Sequence, residues 1–186
     1  ATGEADAVLG GDLVVSAGPE ALSKMLEGQT RAVVSCSETP TAEFTHNPDW
    51  QFPLARMQQA LRDAAGADAV SCLDASTLAA QLMGDAIYAN ALLLGYCWQL
   101  GMVPLPEAAL ARAIELNGVA VEQNLRAFAW GRHVAHDPAA VARLLPTAAV
   151  SPEPTFDELA AEHVTFLTAY QDAAYAKRYT DFVARV

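Results

Sequence analysis

The stretch "GDAIYANALLLGYCWQLGMVPLP" (residues 84–106) decides how this chain folds, because it carries no charged side chain after its second residue. A spanning helix needs roughly 20 apolar residues, so the length alone is compatible with a membrane. Asn90 and Gln99 would then lie in the hydrocarbon, Pro104 would end the helix, and no Lys or Arg closely flanks either end. We therefore predict no membrane span but a core helix over about 85–102, buried on all sides.

The length, composition and net charge of the chain limit the classes of function that it could have. The chain has 186 residues, of which 53% are hydrophobic and 18% charged. That length supports one domain with a sizeable core, and the composition is apolar for a domain that stands alone. The net charge is −11 with only 11 basic residues. Nucleic-acid binding is disfavoured, because phosphate contacts need a positive footprint, and an anionic membrane surface is disfavoured for the same reason.

The three cysteines, Cys36, Cys72 and Cys97, are widely spaced and include no C-x-x-C pair. Neither a zinc site nor an iron–sulfur cluster is expected within this chain. We predict three free thiols, which suit a reducing cytoplasm. Cys36 and Cys72 end predicted strands without a basic neighbour, so neither is expected to act as a nucleophile.

The first third of the chain alternates strand and helix patterns. Short apolar runs predict strands over 12–18, 31–37 and 68–75, and the stretches between them predict helices over 19–26 and 53–66. Continuous apolar strands joined by helices favour parallel pairing with covered faces. The pattern predicts an α/β fold with a small, Rossmann-like parallel sheet of about three strands.

From about Ser76 onward the patterns are helical, and Ser76 itself is the expected N-cap of the first helix. The Pro-rich stretch 146–155 is typical of a linker. We therefore predict a first domain over 1–145 and a linker with a helical extension over 146–186. The predicted helices lie over 76–84, 106–118, 119–136 and from 156 to the end of the chain as a single helix.

Residues 84–132 resemble the gamma region of 2-oxoacid:ferredoxin oxidoreductases, and most of all that of the long, fused indolepyruvate enzymes. The shared pattern is a glycine, an uncharged helix with an internal Asn, a Val-Pro-Leu break and then N-x-x-A-F-x-x-G. The stretches 11–22, 38–50 and 166–183 are also similar to that family. The pattern is matched by Gly84, Asn90, Gly95, Val103, Pro104, Leu105, Asn124, Ala127, Phe128 and Gly131.

The resemblance implies a fragment of an enzyme that oxidatively decarboxylates 2-oxoacids such as indolepyruvate to acyl-CoA. Such enzymes use thiamine diphosphate, Mg, 4Fe-4S clusters and coenzyme A. No part of this chain is similar to the regions that bind thiamine diphosphate or the cluster cysteines, so we expect no cofactor and no catalytic residue here. We expect the first half of the gamma domain to lie before Ala1, so that this chain is its C-terminal half plus an extension.

The resemblance also implies partners and a place in the enzyme. The region would take part in subunit packing or in coenzyme A access, in the cytoplasm. The expected partners are the other domains or subunits of the parent enzyme, ferredoxin through that parent, and a second copy in a homodimer. Three short strands leave open sheet edges, which independently favours association.

The loop 38–52 is the first candidate for a ligand site, because ligands of open parallel sheets bind beyond the carboxyl ends of the strands. Thr39, Thr41 and Thr45 could donate hydrogen bonds to a phosphate or carboxylate, and Phe44 could cover a flat group. The alternative is a solvated turn pinned by its prolines.

Other polar residues are expected to be structural. Asp85 is a first-turn charge on the uncharged helix. Asn90 and Asn124 are expected to be buried amides that tie helices to loop backbone, since a buried amide must find partners. His133 and His136 lie three residues apart on a helix end, but no third ligand is evident, so no metal site is predicted.

Two alternatives to the oxidoreductase fragment stay open. One is a stand-alone, flavodoxin-like module that binds a small molecule. It would need a phosphate-cradling loop, and Gly10-Gly11 comes before the first predicted strand instead of after it. The other is a helical interaction scaffold, for which the aromatic residues of the last predicted helix would supply the contact surface.

Overall fold

Three short strands form a single parallel sheet in the computed structural model. The part of the chain that the structure describes comprises residues 2–37, 53–145 and 155–185. The strands lie in the order β1–β2–β3, which confirms the α/β class and the small parallel sheet. Their bounds are β1 (Ala7–Gly10), β2 (Arg31–Ser35) and β3 (Val70–Leu73).

Helices make up most of the remaining described residues, and every regular element that the structure describes after β3 is a helix. No helix among the described residues is long and apolar enough to cross a membrane. Contacts divide the chain into two compact units, Ala1–Leu145 and Pro146–Val186. The helices are α1 (Leu13–Ser16), α2 (Pro19–Leu22), α3 (Leu54–Ala65), α4 (Ala75–Met83), α5 (Ala89–Gln99), α6 (Glu107–Asn117), α7 (Val121–His136), α8 (Pro138–Ala142), α9 (Phe156–Tyr170) and α10 (Ala173–Val183).

Both faces of the sheet are covered, because neighbouring residues of a strand point to opposite sides. Val33 of β2 packs in a core cluster with Leu92 of α5 and Ala127 of α7. Val34, the next residue, packs on the other side with Leu61 of α3. Both valines are almost fully buried. The central strand is therefore the point at which the two halves of the core meet.

The uncharged stretch forms α5, and every residue of α5 from 91 to 98 is buried or half-buried. The helix is shorter than the expected 85–102. A 3-10 turn over Ala86–Tyr88 precedes it, and Gly101, with a φ of 73°, follows its end. A positive φ is accessible to glycine without a steric penalty and ends the helical repeat there.

Two glycines let α5 and α7 cross with their backbones in contact. A Cβ atom on Gly95 would overlap the carbonyl oxygen of Phe128, and one on Gly131 would overlap the carbonyl oxygen of Leu92. The Cβ atom on Gly131 would also lie 2.8 Å from the backbone nitrogen of Tyr96. Only a residue without a side chain fits on either side of this crossing. We call it the glycine crossing.

The strand expected over 12–18 is wrong, because the first strand lies earlier and residues 13–16 are helical. Asp12 has extended backbone angles and its carboxylate accepts a hydrogen bond from the Val15 N–H at 2.7 Å. An aspartate in this position is a strong helix N-cap and overrides the β preference of the two valines that follow.

Two other helix ends differ from the prediction for the same reason. Asp74, and not Ser76, caps α4, because its carboxylate accepts from the Thr77 N–H at 3.0 Å. The prediction of a single last helix is also wrong, because the helix is interrupted after Tyr170. Asp172 caps a new helix there, since its carboxylate accepts a hydrogen bond from the Tyr175 N–H at 2.7 Å. In both places an aspartate side chain, and not the apolar periodicity, decides where the helix begins.

The prediction of three free thiols is also wrong. Cys36 and Cys72 form a disulfide with their Cα atoms 5.6 Å apart, and Cys97 is free and buried. Parallel pairing aligns Val34 with Cys72, and Cys36 lies two residues after Val34, directly beyond the end of β2. The sequence separation of 36 residues hid this proximity, since spacing does not reveal which strands are neighbours.

Residues 155–185, the described part of the second unit, form a pair of helices, α9 and α10. A capping box begins α9, with the Thr155 hydroxyl and the Glu158 carboxylate each bonded to the other residue's backbone. The two helices pack through a stacked His163–Tyr179 pair with ring centroids 5.7 Å apart. Large apolar side chains of this unit remain exposed, among them Phe156, Phe166, Tyr170 and Phe182.

The glycine crossing gives a direct stability prediction. Replacing Gly131 by Ala adds one methyl group that α5 has no room for, and we expect a loss of about 1–3 kcal/mol in the free energy of unfolding. The loss should appear although alanine is the better helix former by roughly 1 kcal/mol. Urea unfolding followed by circular dichroism measures it.

The matched control is Gln123→Ala, an exposed position on the same helix. It should change the free energy of unfolding by less than about 0.5 kcal/mol. A Gly131→Ala protein as stable as this control would mean that the helices do not cross at this distance.

Candidate functional site

All three strands of the parallel sheet end at one edge, and ligands of open α/β sheets bind beyond that carboxyl edge. Gly10 ends β1, Ser35 ends β2 and Leu73 ends β3. Each strand end is followed by polar residues or a tight turn. This edge is the candidate functional site.

The turn after β1 is built on two glycines. A Cβ on Gly10 would overlap the hydroxyl of Ser16, which is buried and donates a hydrogen bond to the Asp12 carbonyl oxygen at 2.6 Å. Gly10 therefore allows α1 to fold back directly against the strand end. The Gly-Gly pair lies at the carboxyl end of β1, contrary to the expectation that it precedes the first strand.

A cleft of about 510 Å³ opens at this turn. Its walls combine apolar side chains with glycine backbone and a few polar groups. Asp12 is its carboxylate, and no Lys or Arg lies among its described lining residues. Those residues are Val8, Leu9, Gly10, Gly11, Asp12, Val15, Ser16, Ala21 and Asn90. The cleft thus suits a neutral polar or amide-bearing group better than a phosphate, which calls for cations or several free N–H groups.

Asn90 reaches this cleft from the first turn of α5, and the expectation that it is buried and paired is wrong. The residue is exposed, and its side chain makes no hydrogen bond to the described part of the chain. Its Oδ1 atom lies 3.1 Å from the point where a Cβ on Gly11 would stand. The helix begins at Ala89, so Asn90 lies at its end and not in its middle. An unpaired amide at a cleft wall is available to a ligand.

A chain of hydrogen bonds connects the ends of β2 and β3. The Ser35 and Ser37 hydroxyl oxygens are 3.2 Å apart, and Ser37 donates to the Asp74 carboxylate at 2.7 Å. Partial burial raises the pKa of Asp74, but hydrogen bonds from the Thr77 N–H and the Ser37 hydroxyl outweigh that effect and lower the pKa below its usual value. Asp74 is therefore ionised near neutral pH and fixes the geometry of this part of the edge.

Several residues singled out in the sequence lie elsewhere. Asp85 caps the 3-10 turn by accepting from the Ile87 N–H at 2.9 Å. The Asn124 amide donates to the Val119 carbonyl oxygen at 3.0 Å. Phe128 is buried against Trp98, with ring centroids 6.0 Å apart, and Gly131 lies at the glycine crossing. These residues shape the helical layer and do not line the cleft.

The loop candidates Thr39, Thr41, Phe44 and Thr45 lie outside the described residues. The strand that precedes them, β2, ends at the same carboxyl edge as the cleft. Sequence reasoning considered Gly10 and Gly11 only as a pair before the first strand, and it missed Ser16. The signal is Gly-Gly-Asp, which combines a tight turn with a helix cap, but the β propensity of the two valines that follow predicts the strand after it instead of before it.

The histidines of α7 form no metal site with other described residues. Within residues 2–37, 53–145 and 155–185, no group of three or more His, Cys, Asp or Glu side chains could hold a metal ion. His133 instead packs edge-on against Trp130, with ring centroids 5.9 Å apart. Both residues line a second cleft of about 410 Å³ between α7 and α8, which is mainly apolar.

Comparison with known proteins gives one match. The model of a family of unknown function, DUF6537, matches residues 156–186. This range covers α9 and α10 and no part of the sheet or its carboxyl edge. No curated protein and no solved structure matches the chain. The matched family marks the second unit as a recurring segment and assigns no activity to it.

The Asp74 contacts give a prediction that depends on pH. Asp74→Ala removes the cap of α4 and should cost about 1 kcal/mol at pH 7. Because the folded pKa is lowered, the stabilisation is complete above the unfolded pKa and is lost as the pH falls through the folded value. Urea unfolding at pH 7 and at about pH 3 measures the difference.

The control is Asp63→Ala, an exposed carboxylate inside α3 that accepts a hydrogen bond from the Gln59 side chain at 2.7 Å. It should change stability by less than about 0.5 kcal/mol at pH 7. An Asp74→Ala cost that is the same at both pH values would contradict a lowered pKa.

Proposed function

We propose that this chain is a non-catalytic part of a 2-oxoacid:ferredoxin oxidoreductase of the indolepyruvate kind. In this proposal, other parts of the enzyme bind thiamine diphosphate, Mg and the 4Fe-4S clusters and carry out the oxidative decarboxylation. This chain contributes to subunit packing and to coenzyme A access. The support comes from the similarity of residues 84–131 to the gamma region of those enzymes.

One observation carries the proposal: residues of that similarity meet at one place in the fold. Gly95 and Gly131 form the glycine crossing, and Ala127 and Phe128 are buried beside it. A shared packing contact explains why this pattern needs glycine, alanine and an aromatic residue at fixed positions. A sequence similarity that converges on one contact supports a common fold more strongly than scattered identities would.

The surface of the second unit favours a packing role. Phe156, Phe166, Tyr170 and Phe182 are each at least 60% exposed, which is unusual for aromatic and large apolar side chains so near one another in sequence. In the proposed enzyme these side chains would contact other domains or a second copy in a homodimer. The same features fit a helical scaffold, which is compatible with the main proposal. We further propose a cytoplasmic location, where ferredoxin-dependent chemistry takes place.

The carboxyl-edge cleft is the proposed point of contact with coenzyme A. The pantetheine arm of coenzyme A is uncharged and carries two amides, whereas its nucleotide end carries the phosphates. The unpaired Asn90 amide and the glycine backbone offer hydrogen bonds to an amide, and Val8 and Val15 offer apolar contact. The cleft therefore fits the arm better than the nucleotide.

In the oxidoreductase that contains this segment, Asn90→Ala should raise the KM for coenzyme A by about 2- to 10-fold and leave kcat unchanged. That range corresponds to one neutral hydrogen bond. Reduction of a viologen dye by indolepyruvate and varied coenzyme A measures both constants. Gln123→Ala serves as the control. An unchanged KM for coenzyme A would argue against the cleft as its contact.

The isolated chain should not decarboxylate a 2-oxoacid. The proposal locates thiamine diphosphate and the electron-carrying clusters in other parts of the enzyme, so no electrons would reach the dye. A spectrophotometric assay with indolepyruvate, coenzyme A, thiamine diphosphate and viologen tests this. Dye reduction that follows the concentration of purified chain would overturn the assignment as non-catalytic.

A second candidate is a stand-alone module that binds a small molecule. It is favoured by the Gly10-Gly11 turn, which lies at the carboxyl end of β1, where the turn of a flavodoxin-like site would be. A thermal-shift screen of the isolated chain distinguishes the two. A nucleotide bound at nanomolar concentration would favour the stand-alone module, and stabilisation by pantetheine but not by nucleotides would favour the oxidoreductase fragment.

A further inference from the structure

The disulfide between Cys36 and Cys72 joins the carboxyl ends of two neighbouring strands at the open edge of the sheet. Cys72 is exposed and Cys36 is half-buried. Cys36 packs as a half-buried residue against the core cluster around Val34, and Cys72 belongs to neither core cluster. The bond is thus accessible to another thiol, which is the first requirement for exchange.

The edge keeps other connections when this bond is removed. The Cys36 N–H donates to the Leu73 carbonyl oxygen at 2.9 Å, and the Ser37 hydroxyl donates to Asp74 at 2.7 Å. A reduced Cys36 thiol also has an acceptor in place, since its sulfur lies 3.6 Å from the Val34 carbonyl oxygen. The strands therefore stay paired in the reduced form, and both redox forms are compatible with this fold.

We propose that Cys36 and Cys72 are a reversible thiol–disulfide pair that exchanges with small thiols and with dithiol reductants while the chain stays folded. The pair is independent of the proposed oxidoreductase function, because it needs only the sheet edge. Disulfides that occur in reducing compartments are commonly of this exchanging kind.

The exchange balances in two steps. A thiolate of the dithiol attacks the exposed Cys72 sulfur, the Cys36–Cys72 bond breaks, and Cys36 leaves with the electron pair and takes up a proton. The second thiolate of the reductant then displaces Cys72, which also takes up a proton. Two electrons and two protons have passed to the pair, and the reductant has become a disulfide. Oxidised glutathione reverses the reaction and releases two molecules of glutathione.

Cys97 provides an internal control within the same chain. It is fully buried in the core cluster of α5, and burial raises the pKa of its thiol to about 12. A thiol that is both inaccessible and protonated neither exchanges nor alkylates in the folded protein. Labelling under native conditions therefore reports on Cys36 and Cys72 without interference.

The test uses the full chain and intact-mass measurement after alkylation with iodoacetamide. Without reductant, we expect no label. After dithiothreitol in the absence of denaturant, we expect two labels, on Cys36 and Cys72, with an unchanged far-ultraviolet circular dichroism spectrum. Returning the reduced protein to oxidised glutathione should restore the unlabelled form and raise the melting temperature by roughly 5–10 °C.

Two variants test which cysteines take part in the exchange. Cys97→Ser should leave the whole cycle unchanged, and Cys36→Ser should leave Cys72 able to form a one-to-one mixed disulfide with glutathione. The proposal is overturned if the bond resists dithiothreitol until the protein unfolds, which would make it purely structural. It is equally overturned if oxidised glutathione never closes the pair.

Discussion

The close crossing of α5 and α7 at Gly95 and Gly131 is the contact on which the rest of the first unit depends. It allows two helix backbones to touch, so Leu92 and Ala127 can fill the space above β2. A sheet of three short strands has little stability of its own. Here it is fixed on one side by this helix pair and on the other by α1 and α3 around Val34.

The glycine crossing also helps to fix the geometry at the carboxyl edge of the sheet. Because α5 is held tightly, its first turn presents Asn90 toward Gly11 at the cleft. The edge is also fixed locally, by Ser16 behind the turn after β1 and by Asp74 at the start of α4. A rigid helix and short side-chain caps thus create a cleft with an unpaired amide and without a basic residue in its described lining.

The sequence predicts the fold correctly where hydrophobic periodicity and segment length decide the structure. It fails where a single capping side chain or the pairing of two strands decides it. The uncharged run predicted a core helix, because a helix without a polar face has to be covered. Asp12 changed a strand into a helix by capping it, and Asp172 divided a helix in two. The cleft at Gly10 and the partner of Cys36 depend on which strands are neighbours, and that information lies in the fold alone.

Amide hydrogen exchange measured residue by residue tests most directly whether the glycine crossing is the centre of stability. We predict that the amides of residues 92–97 and 127–134 are the slowest to exchange and share one opening free energy. The amides of α10, in the separate second unit, should exchange faster. Exchange at residues 92–97 and 127–134 that is as fast as in α10, or that differs between the two helices, would contradict the account.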